Sequence, residues 1–156
     1  MNHSVLFVCT ANICRSPMAM GLLQEMTSDD PGIWRIKSAG VWADSGYPAA
    51  GNTQKILKEK GIDLKSHRSQ PITRELVSNF RLILVMEKNH KEALQIAFPE
   101  LASRIYLLTE MVDRSADIID PIGGALVDYE ETAFEIQSIL KKGWKKIRKL
   151  SKEGNS

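Results

Sequence analysis

An α/β fold, a three-layer α/β/α sandwich built on a four-stranded parallel sheet, is what the sequence predicts. Two short apolar runs, residues 5–9 and 80–86, have the continuous hydrophobic character of strands buried on both faces. Segments with helical spacing fall between the strand candidates, and strands joined by helices pair in parallel. A chain of 156 residues, 43% of them apolar, has the material for one core, so residues 1–156 are expected to form a single domain.

Residues 5–9, Val-Leu-Phe-Val-Cys, are short, partly β-branched or aromatic and flanked by polar residues, as a central strand is. Pro17 suits the first position of a helix, and Met18, Met20, Leu22, Leu23 and Met26 continue an apolar-rich segment behind it. Residues 33–38 alternate and end at Ala39-Gly40, which predicts a second strand; Trp42, Gly46 and Pro48 then mark a polar loop. Helix formers around Ile56 and Leu57 predict a helix over 49–60 with Gly61 as its C-terminal cap, and a shorter helix follows over 73–78. Residues 80–86 form the second buried strand, residues 88–98 a helix stopped by Pro99, and residues 104–108 the fourth strand. Asp120-Pro121 and Gly123-Gly124 place turn signals on both sides of Ile122, making 117–124 a loop. Tyr129, Ala133, Ile136, Leu140, Trp144, Ile147 and Leu150 recur every three or four residues and predict one long helix.

Charge and cysteine usage narrow the function classes. Lys and Arg number 21 against 19 Asp and Glu, a net charge of +2, too balanced for a sequence-independent nucleic-acid binder. The cluster Lys141, Lys142, Lys145, Lys146, Arg148 and Lys149 is the exception; it reads as the solvated face of the terminal helix, with recruitment of an acidic partner as the alternative. Residues 1–4 have neither the positive region nor the apolar length of a signal peptide, and no run approaches membrane-spanning length. Two cysteines, Cys9 and Cys14, are too few for a disulfide framework and leave no second ligand pair for zinc. A reducing cytoplasm, no metal and no cofactor are therefore expected.

The chemistry concentrates where the first strand ends. In open parallel sheets ligands bind beyond the carboxyl ends of the strands, and Cys9 falls there. Thr10, Ala11, Asn12, Ile13 and Cys14 separate the Cys9 thiol from the Arg15 guanidinium, directly before a helix start. A loop of this length can turn its N–H groups inward and form a concave anion site, reinforced by the positive end of the helix dipole. Phosphate or another inorganic oxyanion fits such a ring. The same field favours a nucleophilic thiolate at Cys9, and Arg15 offers a planar fork to two equatorial phosphoryl oxygens. Ser16 places a hydroxyl near the sulfur, which eases the departure of Cys9 when water attacks a cysteinyl-phosphate. Cys-x5-Arg arises easily by chance in a chain with two cysteines; the strand before it and the Ser-Pro helix start after it give it weight. Cys14 keeps two readings, a small buried hydrophobe or a redox partner that forms a reversible disulfide with Cys9. A leaving alkoxide or phenoxide needs a proton, and by composition Asp113, Asp117, Asp120 and Asp128 are equal candidates to supply it.

Val8-Cys9-Thr10-Ala11-Asn12-Ile13-Cys14-Arg15-Ser16-Pro17, with Ser38-Ala39-Gly40, residues 67–72, Leu84-Val85-Met86-Glu87 and Asp120-Pro121, resembles the low-molecular-weight protein tyrosine phosphatases over nearly the full length. The resemblance implies a doubly wound sheet with a phosphate-binding loop between strand 1 and helix 1. It implies Cys9 as nucleophile, Arg15 as phosphate clamp and Asp120 as general acid, acting on a phosphorylated protein; the charge balance and the lack of a long apolar run add the expectation of no nucleic acid and no membrane as partner. It further implies a hydrogen-bond network of Asn12, Ser16, Ser38 and His67 beneath the loop, and Trp42 beside the substrate cleft. Ile122 stands where relatives acting on phosphotyrosine usually carry an aromatic residue; an aliphatic wall covers a ring without stacking on it. Gly123-Gly124 resembles the bacterial protein-arginine phosphatase branch, whereas Ile13 is similar to the tyrosine phosphatases, since that branch typically has threonine there. An arsenate reductase of this fold needs further cysteines downstream, which the chain lacks, and a noncatalytic phosphopeptide-binding module would have lost the nucleophile or the acid. A protein tyrosine phosphatase is thus the expectation, with a protein-arginine phosphatase as the alternative.

Overall fold

The computed structural model describes residues 2–154. Its strands are β1 (His3–Cys9), β2 (Trp34–Gly40), β3 (Leu82–Val85) and β4 (Ile105–Leu107), all parallel, in the order β2-β1-β3-β4. Helices α1 (Arg15–Met26), α2 (Gly51–Glu59), α3 (Arg74–Ser78), α4 (Lys88–Ala97), α5 (Leu126–Lys142) and α6 (Trp144–Ser151) connect and cover them. Side chains alternate faces along a strand, so the apolar runs feed two cores. Val5, Phe7, Leu82 and Leu84 pack with residues of α1, α2, α5 and α6, while Leu6, Val8, Ile83 and Val85 pack with Val77 of α3 and Leu94 of α4. This is the three-layer sandwich that the continuous apolar strands predict.

The topology selects one place for a site. From β1 the chain goes to β2 on one side, then crosses to β3 on the other. Strand order therefore reverses at the carboxyl end of β1, where Cys9 lies opposite Gly40.

Two expectations from the sequence are corrected. α1 begins at Arg15 rather than at Pro17; Pro17 is its third residue, still inside the turn whose N–H groups have no helical acceptor. The single terminal helix is two, because Gly143 interrupts it between α5 and α6. A Cβ on Gly143 would stand 2.8 Å from the Met111 carbonyl oxygen, so glycine lets the junction close on a 3-10 turn, Leu108–Val112. The apolar stripe survives the break: Tyr129, Ala133, Ile136, Leu140 and Ile147 are all buried. A second 3-10 turn, Pro99–Arg104, follows where Pro99 ends α4. Among the described residues no helix is long and apolar enough to cross a membrane.

Candidate active site

The loop between β1 and α1 has its carbonyls tied outward. Cys9 O accepts from Val41 N–H (2.9 Å), Thr10 O from Trp42 N–H (2.9 Å) and Ile13 O from Ala50 N–H (2.8 Å), and Asn12 O accepts from His67 Nε2 (2.8 Å). In a trans peptide unit the N–H points opposite to its carbonyl, so the amides turn inward. None of the amides of residues 10–15 has a protein acceptor among the described residues. Asn12 makes the tight bend, with φ 60 in the left-handed region that Asn tolerates better than most residues. Gly40 lets the loop lie against β2, since a Cβ there would collide with Thr10 O and stand 3.0 Å from Asn12 N.

Beneath the loop, hydrogen bonds run in one direction. Asn12 Oδ1 accepts from Gln70 N–H (3.0 Å), which orients the amide so that Nδ2 donates to Ser16 Oγ (2.8 Å) and Ser38 Oγ (2.9 Å). Ser16 Oγ, having accepted from Asn12, can give its own hydrogen to Cys9 Sγ at 2.9 Å, with Ala39 O at 3.5 Å as the longer alternative acceptor. The relay thus ends at the Cys9 sulfur. Burial pushes the His67 imidazole below its ordinary value, against its bond to Asn12 O, so His67 is a neutral donor at neutral pH.

Arg15 is 1% exposed, and three elements converge on it. Nη1 donates to Ile118 O (2.7 Å) and pairs with Glu87 Oε2 (2.6 Å), while Nη2 reaches Asp120 Oδ2 (3.4 Å) and Thr10 Oγ1 (3.5 Å). Nε is a buried donor with no protein partner among the described residues. The Nε–Nη2 edge is thus the side of the fork available to an oxyanion. Glu87 stands at the N-terminus of α4, and Ile118 N–H bonds Met86 O at 2.8 Å, tying the segment before Asp120 to the end of β3. His90, one turn into α4, places Nε2 2.9 Å from Thr10 Oγ1 and 3.9 Å from Glu87 Oε2. Burial keeps His90 below its ordinary value despite the pull of Glu87.

The structure separates the four carboxylates that composition left equal. Asp113 pairs with Lys146, Asp117 accepts from Lys88 N–H at the start of α4, and Asp128 accepts from Ala125 N–H at the start of α5. Among the described residues only Asp120 of these four reaches Arg15, and its Oδ1 accepts from Ile122 N–H (3.1 Å). Gly124 permits this bend, because a Cβ there would stand 2.9 Å from Pro121 O. Trp42 is 86% exposed and Ile122 53% exposed, both flanking segments that hold the site. Ala11 is exposed and Ile13 half-buried. Cys14 turns into the core, where its thiol donates to Tyr129 Oη at 3.8 Å. Burial pushes the Cys14 thiol up to about 11 and the Tyr129 hydroxyl up to about 12. Both cysteines are free, and the surroundings of Cys14 are those of a small buried hydrophobe. No cluster of His, Cys, Asp and Glu among the described residues is placed to hold a metal ion.

Cys9, Asn12, Arg15, Ser16, Ser38, His67 and Asp120 are therefore brought together as the sequence led one to expect. Glu87, His90 and Tyr129 belong to the same assembly but were not singled out for it. Glu87 and His90 follow the second buried strand directly, and the rule that drew attention to Cys9 applies equally to the end of that strand. Tyr129 carried no separate signal, since it is one member of an apolar stripe.

The family described as low molecular weight phosphotyrosine protein phosphatase matches residues 4–153 of the chain. The chain is 40% identical over 137 residues to the probable low molecular weight protein-tyrosine-phosphatase EpsP of Ralstonia nicotianae, covering 88% of this chain and 90% of that one. It is 37% identical over 141 residues to a protein-arginine-phosphatase of Geobacillus stearothermophilus, covering 90% and 93% of the two chains. Its structure resembles the crystal structure of a low molecular weight protein tyrosine phosphatase from T. tengcongensis, with a TM-score of 0.88 and 38% identity over 93% of this chain and 99% of that one. Since the match takes in the anion loop, the Asp120 segment and both helical layers, the chain belongs to the low molecular weight phosphotyrosine protein phosphatase family.

Proposed function

We propose that the protein hydrolyses phosphotyrosine in protein substrates through a cysteinyl-phosphate formed on Cys9. The observation that carries this reading is a ring of amides around Cys9 that have no acceptor among the described residues, closed by the Nε of Arg15, which likewise has no partner among them. These are the donors that a phosphoryl group with three equatorial oxygens requires. In the first step the Cys9 thiolate attacks phosphorus in line, the P–O bond to the tyrosine oxygen breaks, and Asp120 delivers its proton to that oxygen. In the second step the Asp120 carboxylate takes a proton from water, the water oxygen attacks phosphorus, and the S–P bond breaks with its electrons on sulfur. Ser16 donates to that sulfur as the charge returns. Glu87 and Ile118 O hold one guanidinium nitrogen of Arg15, so the remaining edge is oriented before substrate arrives.

Phosphotyrosine is favoured over phosphoarginine by Ile13 and Ile122, which give a phenyl ring apolar contact but offer a guanidinium no acceptor. The arginine reading rests on the Geobacillus relative and on Gly123-Gly124. The test is kcat/KM on phosphotyrosine and phosphoarginine versions of one peptide, with Ile13→Thr alongside. A preference of about tenfold or more for phosphotyrosine, narrowing in Ile13→Thr, is expected; a wild-type preference for phosphoarginine reverses the assignment. Release of p-nitrophenol from p-nitrophenyl phosphate by Cys9→Ser at the wild-type rate would refute the covalent route altogether.

A further inference from the structure

At the far end of the sheet from the anion ring lies a cleft of about 810 Å³, within the size range of ligand sites. Its floor is aromatic: His3 stacks on Trp34 with centroids 4.2 Å apart, and Trp34 on Trp144 at 5.3 Å. His3 and Trp34 open β1 and β2 in register, whereas Cys9 and Gly40 close the same pair, which separates cleft and ring by about 20 Å of strand. His3 Nδ1 and Ser151 Oγ, 3.0 Å apart, pin the floor to α6. Burial and then the Arg148 guanidinium push the His3 imidazole below its ordinary value, so the floor is neutral at neutral pH.

The rim is cationic. Lys145, Arg148, Lys149 and Lys152 line it, all exposed, and none makes an ion pair among the described residues. Asp30 is the sole carboxylate in the lining among the described residues. Lys146 on the same helix is different: Glu110 O and Asp113 hold it. The unpaired cations of α6 and its C-terminus thus converge on the aromatic floor rather than spreading over a solvated face.

We infer that this cleft is a docking site for an acidic polypeptide segment with an apolar anchor, separate from the phosphatase centre. The cations select carboxylates by charge complementarity, and the tryptophan rings offer apolar area to the anchor. A lipid surface fits less well, because Ile147 of α6 is fully buried and Leu150 packs on the core, leaving Trp144, which sits in the cleft itself, as the one large apolar side chain that helix presents for insertion. A nucleic acid also fits less well, because it needs an extended basic stripe, and the chain's net charge is only +2.

The test is fluorescence anisotropy of a fluorescein-labelled peptide in which Glu and Asp surround one Leu, titrated with the full-length protein at low and physiological salt. Saturable binding that weakens with salt is expected, and the Arg148→Glu/Lys149→Glu protein should bind about tenfold or more weakly. Its turnover of p-nitrophenyl phosphate and its circular dichroism should match the wild type. Lys145→Gln/Lys149→Gln introduces no repulsion and is expected to weaken binding about threefold, which keeps the test valid if charge reversal impairs folding. Absence of binding, or equal binding by the substituted proteins, overturns the site. Tighter binding of a single-stranded oligonucleotide or of phosphatidylserine vesicles, lost on the same substitutions, overturns the acidic peptide as its occupant.

Discussion

Replacing Asn12 tests whether one side chain holds the anion ring in shape. Its three side-chain hydrogen bonds, to Ser16, Ser38 and the Gln70 amide, are worth about 1 kcal/mol each, so their loss costs about 3 kcal/mol. Asn12 also sits at φ 60, where alanine adds about 1 kcal/mol of backbone strain that glycine does not. Urea unfolding is therefore expected to show Asn12→Ala destabilised by about 4 kcal/mol and Asn12→Gly by about 3 kcal/mol. In both variants Ser16 loses the donor that leaves its hydrogen free for Cys9 Sγ. Turnover of p-nitrophenyl phosphate should drop by about tenfold to a hundredfold in each. An alanine variant within about 1 kcal/mol of wild type, or a glycine variant less stable than the alanine one, refutes the reasoning.

Further predictions concern the acid, the histidines, Cys14 and Gly40. Asp120→Ala should slow hydrolysis of phenyl phosphate far more than that of p-nitrophenyl phosphate, whose leaving group needs no proton; equal losses would remove Asp120 from the acid role. His3, His67 and His90 are all held below their ordinary value, chiefly by burial. As pH falls the unfolded chain takes up protons first, so stability is full above the ordinary histidine value and declines through the folded ones. Tm should accordingly be lower at about pH 5 than at about pH 7, with a shallower slope in His67→Gln, and a flat wild-type profile would contradict this. Cys14, with its thiol pushed up to about 11 by burial, is overwhelmingly the neutral thiol at neutral pH. Protein oxidised at Cys9 with peroxide should therefore form the Cys9–Cys14 disulfide slowly, and faster after a jump to alkaline pH; a pH-independent rate by mass spectrometry would show that burial of Cys14 is not limiting. Gly40→Ala drives a Cβ into Thr10 O, so turnover should be lost while far-ultraviolet circular dichroism changes little; retained turnover would show that the loop does not need that approach.

The parts of the site legible in the sequence are those whose signal is local. Cys9, Arg15, Ser16 and Pro17 lie within one strand–loop–helix unit, and the apolar run before them marks where that unit opens. Asp120 is a different case, because chemistry demanded an acid without choosing among four aspartates, and resemblance made the choice. In the structure Asp120 is the one of the four that reaches Arg15 among the described residues, while the other three are engaged at helix starts or on the surface. Glu87 and His90 were harder to see, since a carboxylate and an imidazole at the start of a helix are ordinary until the sheet order brings β3 beside β1. The break at Gly143 shows the limit of periodicity. The stripe from Tyr129 to Ile147 is real, but the close approach of Met111, more than thirty residues earlier in the chain, decides that glycine ends the helix there.

The covalent step can be seen directly. Asp120→Ala mixed with p-nitrophenyl phosphate and quenched rapidly in acid should carry one phosphoryl group on the peptide containing Cys9, because departure of p-nitrophenol needs no acid whereas attack by water has lost its base. The same experiment with Cys9→Ser/Asp120→Ala should give no p-nitrophenol burst. A phosphoryl group on any other residue, or turnover with Cys9 never modified, would contradict the account.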